Sequence, residues 1–247
     1  FTRSCMRICR CPAMIYDVLA SYYDALVKDD EATAAWVALI QRHMQGNEIM
    51  EVACGSGEIT IALAQKGYHM HASDISPAMI RAAKAKPGAA MVDWRVMDMR
   101  QLQGGAYDGI LCLCDSFNYL LEEAEVSSFF RSVYAHLREH GVFIVDMHSQ
   151  DRLKEFAEEY NEAGRVGDHE YQWTIESEDD CIYQTFAFYD EDGRPALEQH
   201  IQRVYDPEWI MAQLQACGFA VQVFTDFTRE GITEGEKQFY VCRKENA

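Results

Sequence analysis

The chain has 247 residues and a mass of 28.3 kDa, and 49% of it is hydrophobic, enough for a sizeable core and too apolar for a disordered or fibrous protein. A formal charge of −18 counts against nucleic-acid backbones and anionic membranes as partners, because a phosphate track needs clustered Lys and Arg. No window reads as a membrane span and the N-terminus "FTRSCMRICRCPAM" lacks the apolar stretch of a secretory signal, so a cytoplasmic protein is expected.

Residues 1–13 hold three arginines, three cysteines and no acid, unlike everything after them. They are expected to be a non-native or disordered extension, with Met14 as the natural start. Cys5, Cys9 and Cys11 are spaced C-x3-C-x-C, which misses the C-x2-C pairs of zinc sites, and the other cysteines are scattered through apolar runs. Reduced core thiols are expected, and no metal.

An amphipathic segment from Ala32 to His43 leads to "NEIMEVACGSG", where Ile49 to Ala53 reads as a strand entering a tight loop. "EITIALAQKGY" is a helix closing on Gly67. "HMHASDIS" is a second strand ending in Asp74, and Ser76-Pro77 starts the next helix. "AMVDWRVMD" and "AYDGILCLCDS" are a third and fourth strand, a helix covers Glu122 to Arg138, and "GVFIVDMHS" is the fifth strand. Strands this apolar, alternating with helices, imply an α/β fold with a mainly parallel sheet covered on both faces.

After Arg152 three β-rich segments, "YQWTIESEDD", "CIYQTFAFYDEDGR" and "ALEQHIQRVYD", read as an antiparallel insertion with a hairpin at Asp192-Gly193. "PEWIMAQLQACGF" is a helix, and "AVQVFTDF" and "KQFYVCRK" complete a seven-stranded sheet. The expected organisation is a core with N-terminal lid helices over 14–152, an insertion covering the acceptor over 153–205, and a return to the core sheet over 206–247.

The stretch "EVACGSGEIT" carries the ligand question. It lacks the G-x4-G-K-[ST] of a phosphate loop, and Thr60 stands where a dinucleotide fingerprint has its third glycine. Glu51 before the loop would repel a pyrophosphate and favour an ammonium or sulfonium group. Asp74, at the end of the second strand, suits both hydroxyls of a ribose. Asp98, after the third strand, can accept from an adenine amine while Met99 packs on the ring. A cationic adenosine ligand is expected, and S-adenosylmethionine fits better than NAD.

Taken together, these segments resemble the class I S-adenosylmethionine-dependent methyltransferases, and within them the small bacterial YqeM-like group. "EVACGSGEIT" looks like their motif I, "ASDIS" their motif II, "RVMDM" the acid after strand three and "YDGILCLCDSFNYL" the segment after strand four; the order of "YDVLASYYDALV", "CDSFNYL", "VDMH" and "EQHIQRVY" is similar to the YqeM-like group. The resemblance implies a Rossmann-like fold and a cofactor site in which Gly55 and Gly57, with Ala53 and Cys54, border the methionine moiety and Glu51 its ammonium. It implies Asp74 at the ribose, Ile75 as a further cofactor-binding residue, Asp98 and Met99 at the adenine, Cys114 and Asp115 near the sulfonium, and Tyr16 and Tyr23 closing over the cofactor.

On the acceptor side the candidates are Asp115, Asn118 and Tyr119 after strand four, and His148 after strand five as a general base. Strand alternation puts Glu198, His200 and Gln202 on one face of the insertion and Arg203 on the other, and both His200 and Arg203 are candidates for acceptor binding. The expected reaction is methyl transfer to N or O of a small-molecule acceptor. The rivals are an RNA or protein methyltransferase, a non-catalytic cofactor-binding module and an NAD-dependent oxidoreductase.

Overall fold

A computed structural model describes residues 19–190 and 192–245; the extension 1–13 and Tyr16 lie outside the described residues. Helices α1 (Tyr23–Val27) and α2 (Asp30–His43) precede β1 (Glu48–Val52), α3 (Glu58–Gln65), β2 (His69–Asp74), α4 (Pro77–Lys84) and β3 (Val92–Val96). Then come β4 (Tyr107–Cys112), α5 (Glu123–His136), β5 (Leu137–His148) and α6 (Gln150–Glu155). A second set of strands follows, β6 (Tyr160–Val166), β7 (His169–Glu178), β8 (Cys181–Tyr189) and β9 (Pro195–Arg203). The chain closes with α7 (Pro207–Ala216), β10 (Phe219–Thr225), β11 (Arg229–Glu230) and β12 (Lys237–Lys244).

The main sheet has the order β11-β10-β12-β5-β4-β1-β2-β3. Strands β1 to β5 run parallel, and β12 is antiparallel to β5 and to β10. The expected seven strands are joined at one edge by the two-residue β11. Strands β6 to β9 form a separate antiparallel sheet, one strand larger than the sequence suggests. The unforeseen strand, β6, buries only Val166, so its sequence shows no apolar alternation.

Local chemistry sets the boundaries. Ser76 caps α4 by accepting the Met79 N–H, with Pro77 in the first turn. Asp206 does the same for α7, accepting from Glu208 and Trp209. The second sheet turns at Gly193 (φ +75°), whose N–H donates to Asp190 O at 2.9 Å.

The sheet is buried on both faces. Phe143, Val145 and Met147 of β5 pack with Phe129, Phe130 and Val133 of α5 and Leu214 of α7. Val142 and Ile144, the alternate residues, pack with Trp36 and Ile40 of α2 and Leu63 of α3. No helix among the described residues is long and apolar enough to cross a membrane.

The chain adds β2 and β3 on one side of β1, then crosses to β4 and β5 on the other. This reversal opens a crevice beyond the carboxyl ends of β1 and β4, where ligands of open parallel sheets bind.

Candidate functional site

At that crevice three non-glycine residues have left-handed backbones: Ala53 (φ +52°) after β1, and Cys114 (+56°) and Asp115 (+53°) after β4. Such conformations cost energy and persist where the surroundings impose them, often at functional sites. Gly55 (φ +54°) shares the conformation, and a Cβ there would meet nothing within 4 Å, so its backbone faces open space. Gly57 differs, because a Cβ would lie 2.3 Å from the Trp94 ring. Packing under the loop and a positive φ (+76°) together account for a glycine here. Gly57→Ala is expected to lower the unfolding free energy by about 1–3 kcal/mol in urea titration, from overpacking at a positive φ; a loss below about 0.5 kcal/mol would contradict this origin.

Two acids sit beside the loop. Glu51, 3% exposed, accepts the Thr60 hydroxyl at 2.6 Å, so the residue in the third-glycine position holds the acid in place. Burial pushes the Glu51 carboxyl up to about 7, against the Thr60 hydrogen bond. Asp74, 6% exposed, accepts the Gly55 N–H at 2.9 Å and the Ser76 N–H at 2.8 Å, joining the loop to the start of α4. Burial raises its carboxyl too. Among the described residues neither acid forms an ion pair.

The other side of the crevice is a charge cluster. Lys237 Nζ donates to Asp115 Oδ1 and lies 3.3 Å from Asp146 Oδ2. The Asp115 N–H donates to Asp146, and His148 Nε2 lies 3.3 Å from Asp115 Oδ2. Gln202 Nε2 donates to Asp115 O and Oδ2 at 3.1 and 3.2 Å, and Gln202 Oε1 lies 3.2 Å from His148 Nε2. His148 Nε2 faces acceptors, so it carries the proton, and Nδ1 has no partner among the described residues. Burial would raise the Asp115 carboxyl, but Lys237 and His148 hold it well below the usual range. Asp146, fully buried, is held above it.

Cys114 is exposed at the crevice with Lys237, Asp146, Asp115 and Glu51 as charged neighbours, and desolvation pushes its thiol up. Tyr23 of α1 packs with Leu19, Phe186 and Phe188 and stands close enough to Cys114 and Asp115 to feel their charge. Burial raises its phenol, with Cys114 and Asp115 adding to the shift. A second tie fastens α1 to the loop: Lys86 Nζ lies 2.6 Å from both Asp24 and Glu58 and donates to Ser56 Oγ at 2.9 Å.

Several expected site residues have other work. Both oxygens of Asp98 accept from the Arg100 guanidinium, which also reaches Glu125 at 2.8 Å, and Asp98 caps the turn by accepting the Arg100 N–H. Burial opposes ionisation there, but the Arg100 bonds hold Asp98 below its ordinary value. Its carboxylate is thus filled, which counts against the adenine assignment. Met99 packs against the core. Asn118, fully buried, donates to Arg203 O at 2.7 Å and accepts the His148 N–H at 3.1 Å, so it fastens β9 to β5. Arg203 binds Asp180, Glu123 and Leu121 O outside the crevice.

Comparison with known proteins shows the family. Residues 49–141 match a methyltransferase domain family. The protein YqeM of Bacillus subtilis (strain 168), named as a methyltransferase, is 30% identical over 242 residues, covering 94% of this chain and 98% of the relative. The chain belongs to the YqeM-like S-adenosylmethionine-dependent methyltransferases. Its cofactor is S-adenosylmethionine. An S-adenosylmethionine-dependent methyltransferase from Clostridium acetobutylicum ATCC 824 shares the fold of this methyltransferase with a TM-score of 0.79 and 24% identity, covering 94% of this chain and 99% of that one. The sugar N-methyltransferase KedS8 from Streptoalloteichus sp ATCC 53650 shares it with a TM-score of 0.76 and 22% identity, covering 93% and 94%.

The residues present suit this cofactor. S-adenosylmethionine carries an ammonium and a sulfonium, and the crevice offers two buried acids without cationic partners among the described residues and an open backbone at Gly55.

Sequence reading missed Lys237, Asp146, Gln202 and the Lys86 tie. Signals existed for two of them. Asp146 is a charge inside the apolar run "GVFIVDMH", and Lys237 opens a strand that, paired antiparallel to β5, lies opposite His148.

Proposed function

We propose that this methyltransferase acts on the nitrogen or oxygen of a small-molecule acceptor, with the cofactor seated where β1, β2 and β4 end. The observation that carries the reading is the pair of buried acids, Glu51 and Asp74, that lack cationic partners among the described residues beside the open Gly55 backbone. In this reading Glu51 and the loop from Ala53 through Cys54 to Gly55 border the amino-acid end, and Asp74 with the neighbouring Ile75 the ribose. Cys114, Asp115 and Tyr23 border the reacting centre.

The cofactor brings an already activated methyl group. The chain's part is therefore to place the nucleophile in line, exclude water and accept a proton. Asp115, held ionised by Lys237 and oriented by His148 and Gln202, supplies fixed negative charge at the crevice. His148 is buried behind Asp115 and Gln202, which suits orienting Asp115 better than meeting the acceptor. The insertion over 153–205 and α1 cover the acceptor, with β9 turning Glu198, His200 and Gln202 inward.

The formal net charge of −18 supports a small acceptor over RNA. So does the shared fold with KedS8, a sugar N-methyltransferase. The test is transfer of tritium from methyl-labelled S-adenosylmethionine to a bacterial extract, followed by fractionation. Label in the small-molecule fraction supports the reading, and label confined to RNA or protein refutes it.

A further inference from the structure

On the inward face of β9, beside the cluster around Asp115, three polar side chains form a line. Leu19 N–H donates to Glu198 Oε2 at 3.1 Å, Glu198 Oε1 lies 2.8 Å from His200 Nε2, and His200 Nδ1 lies 2.9 Å from Tyr119 Oη. Glu198 and His200 are 7% and 3% exposed, whereas Tyr119 keeps part of its ring at the surface just beyond the end of β4.

We propose that Tyr119, His200 and Glu198 form a proton relay in which Tyr119 takes the proton that the acceptor's nucleophilic nitrogen or oxygen loses on methylation. The inference rests on the functional reading above and deepens it. It assigns the base, and it defines the acceptor as a group that bears a proton when it binds, an alkylammonium or a hydroxyl.

The hydrogen-bond directions support it. Glu198 already accepts a backbone N–H and, as a carboxylate, can take only a donor from His200, so Nε2 carries the imidazole proton. Nδ1 is then a lone pair facing the Tyr119 hydroxyl. His200 meets Glu198 on its own strand, Tyr119 from the turn after β4, and the uncharged Phe186 ring of β8 edge-on, with Gln184 opposite it in register. When the relay works, the electron pair freed as the proton leaves, before attack for an alkylammonium and during it for a hydroxyl, bonds the acceptor atom to the methyl carbon, and the carbon–sulfur bond breaks with its pair left on sulfur. The acceptor's proton passes to Tyr119 Oη while the phenol proton moves to His200 Nδ1. The imidazolium so formed lies against Glu198, which offsets the cost of charging a buried ring. Leu19, just before α1, holds the Glu198 carboxylate from its Oε2 side.

The same geometry explains why His148 is the poorer base. Its protonated Nε2 is held by Asp115 and Gln202, and its ring is 5% exposed. Tyr119 is the catalytic residue of the proposal, and His200 and Glu198 position and tune it.

Two measurements on the full chain test this. In protein carrying nitrogen-15 histidine, the ring spectrum should show His200 as the neutral Nε2–H tautomer, and Glu198→Gln should move it toward the Nδ1–H form. A wild-type His200 in the Nδ1–H form overturns the relay. In the second, tritium transfer from methyl-labelled S-adenosylmethionine into the small-molecule fraction of a bacterial extract is followed from about pH 6 to 9. Tyr119→Phe should cut the rate about 100-fold near neutrality, the usual scale of a general base, with cofactor affinity unchanged by calorimetry. The deficit should narrow as pH rises and acceptors lose their proton in solution. A rate within about twofold of wild type throughout overturns the relay. Glu198→Gln carries the same rate test if Tyr119→Phe does not fold. A wild type that binds the cofactor and labels nothing refutes the functional reading, and the tautomer measurement then decides the relay alone.

Discussion

Lys237→Met is expected to lower the unfolding free energy by about 3–5 kcal/mol at neutral pH, the usual cost of removing one partner from a buried ion cluster. Lys237 is the cation between Asp115 and Asp146, and its loss leaves two carboxylates facing each other, one of them 0% exposed. Its own side chain is 28% exposed, so solvent reduces the effect and the lower half of the range is the better expectation. The pH dependence has a definite sign. Asp115 is held well below its ordinary value, so its stabilising contribution is present above the unfolded carboxylate value and is lost as pH falls through the folded one. The gap between wild type and Lys237→Met should therefore shrink in acid, where the carboxylates of the variant take up protons. Urea titrations at about pH 7.5 and pH 4.5 read this directly. A loss below about 1 kcal/mol at the higher pH would mean that the cluster is a surface pair in all but position.

Glu51 predicts a proton linkage to cofactor binding. Burial raises its carboxyl from 4.5 to about 7 in the free protein. Because the folded value is raised, ionising Glu51 opposes folding: its contribution to stability declines as pH climbs from the unfolded value toward the folded one. A cationic ammonium placed beside it reverses that preference and drives the proton off. S-adenosylmethionine affinity should then increase by up to about tenfold per pH unit below pH 7 and level off above it, with a proton released on binding in the acid range. Calorimetry in two buffers of different ionisation enthalpy counts that proton, and Glu51→Gln should abolish both the release and the slope. Affinity that is flat from about pH 5.5 to 7.5 in the wild type would place Glu51 away from the ammonium.

The parallel sheet was legible because its central strands are buried on both faces and the chain is punctuated by strong caps: Ser76-Pro77, Asp206-Pro207, and Gly67 and Gly218 with positive φ. The hairpin at Asp192-Gly193 was legible for the same kind of reason. Strand β6 was not, since "YNEAGRV" faces water along most of its length. In the crevice, the placement of Glu51, Gly55 and Asp74 followed from strand-end position, which the sequence carries. What it does not carry is who satisfies whom. Asp98 stands at a strand end as Asp74 does, yet Arg100, two residues on, fills its carboxylate. Asn118 and Arg203 look like site residues in a line of text, and three-dimensional pairing gives them to β5, β9 and Asp180. Lys237 comes from the far end of the chain, and only the antiparallel register of β12 on β5 brings it to Asp115.

The central claim is that S-adenosylmethionine is seated at the ends of β1, β2 and β4, and a calorimetric titration of the cofactor into wild type and Asp74→Ala tests it most directly. The expected result is binding to wild type and a loss of about 1–3 kcal/mol in Asp74→Ala, from the charge-assisted hydrogen bonds of one carboxylate. Equal affinity in the two proteins would contradict the seat.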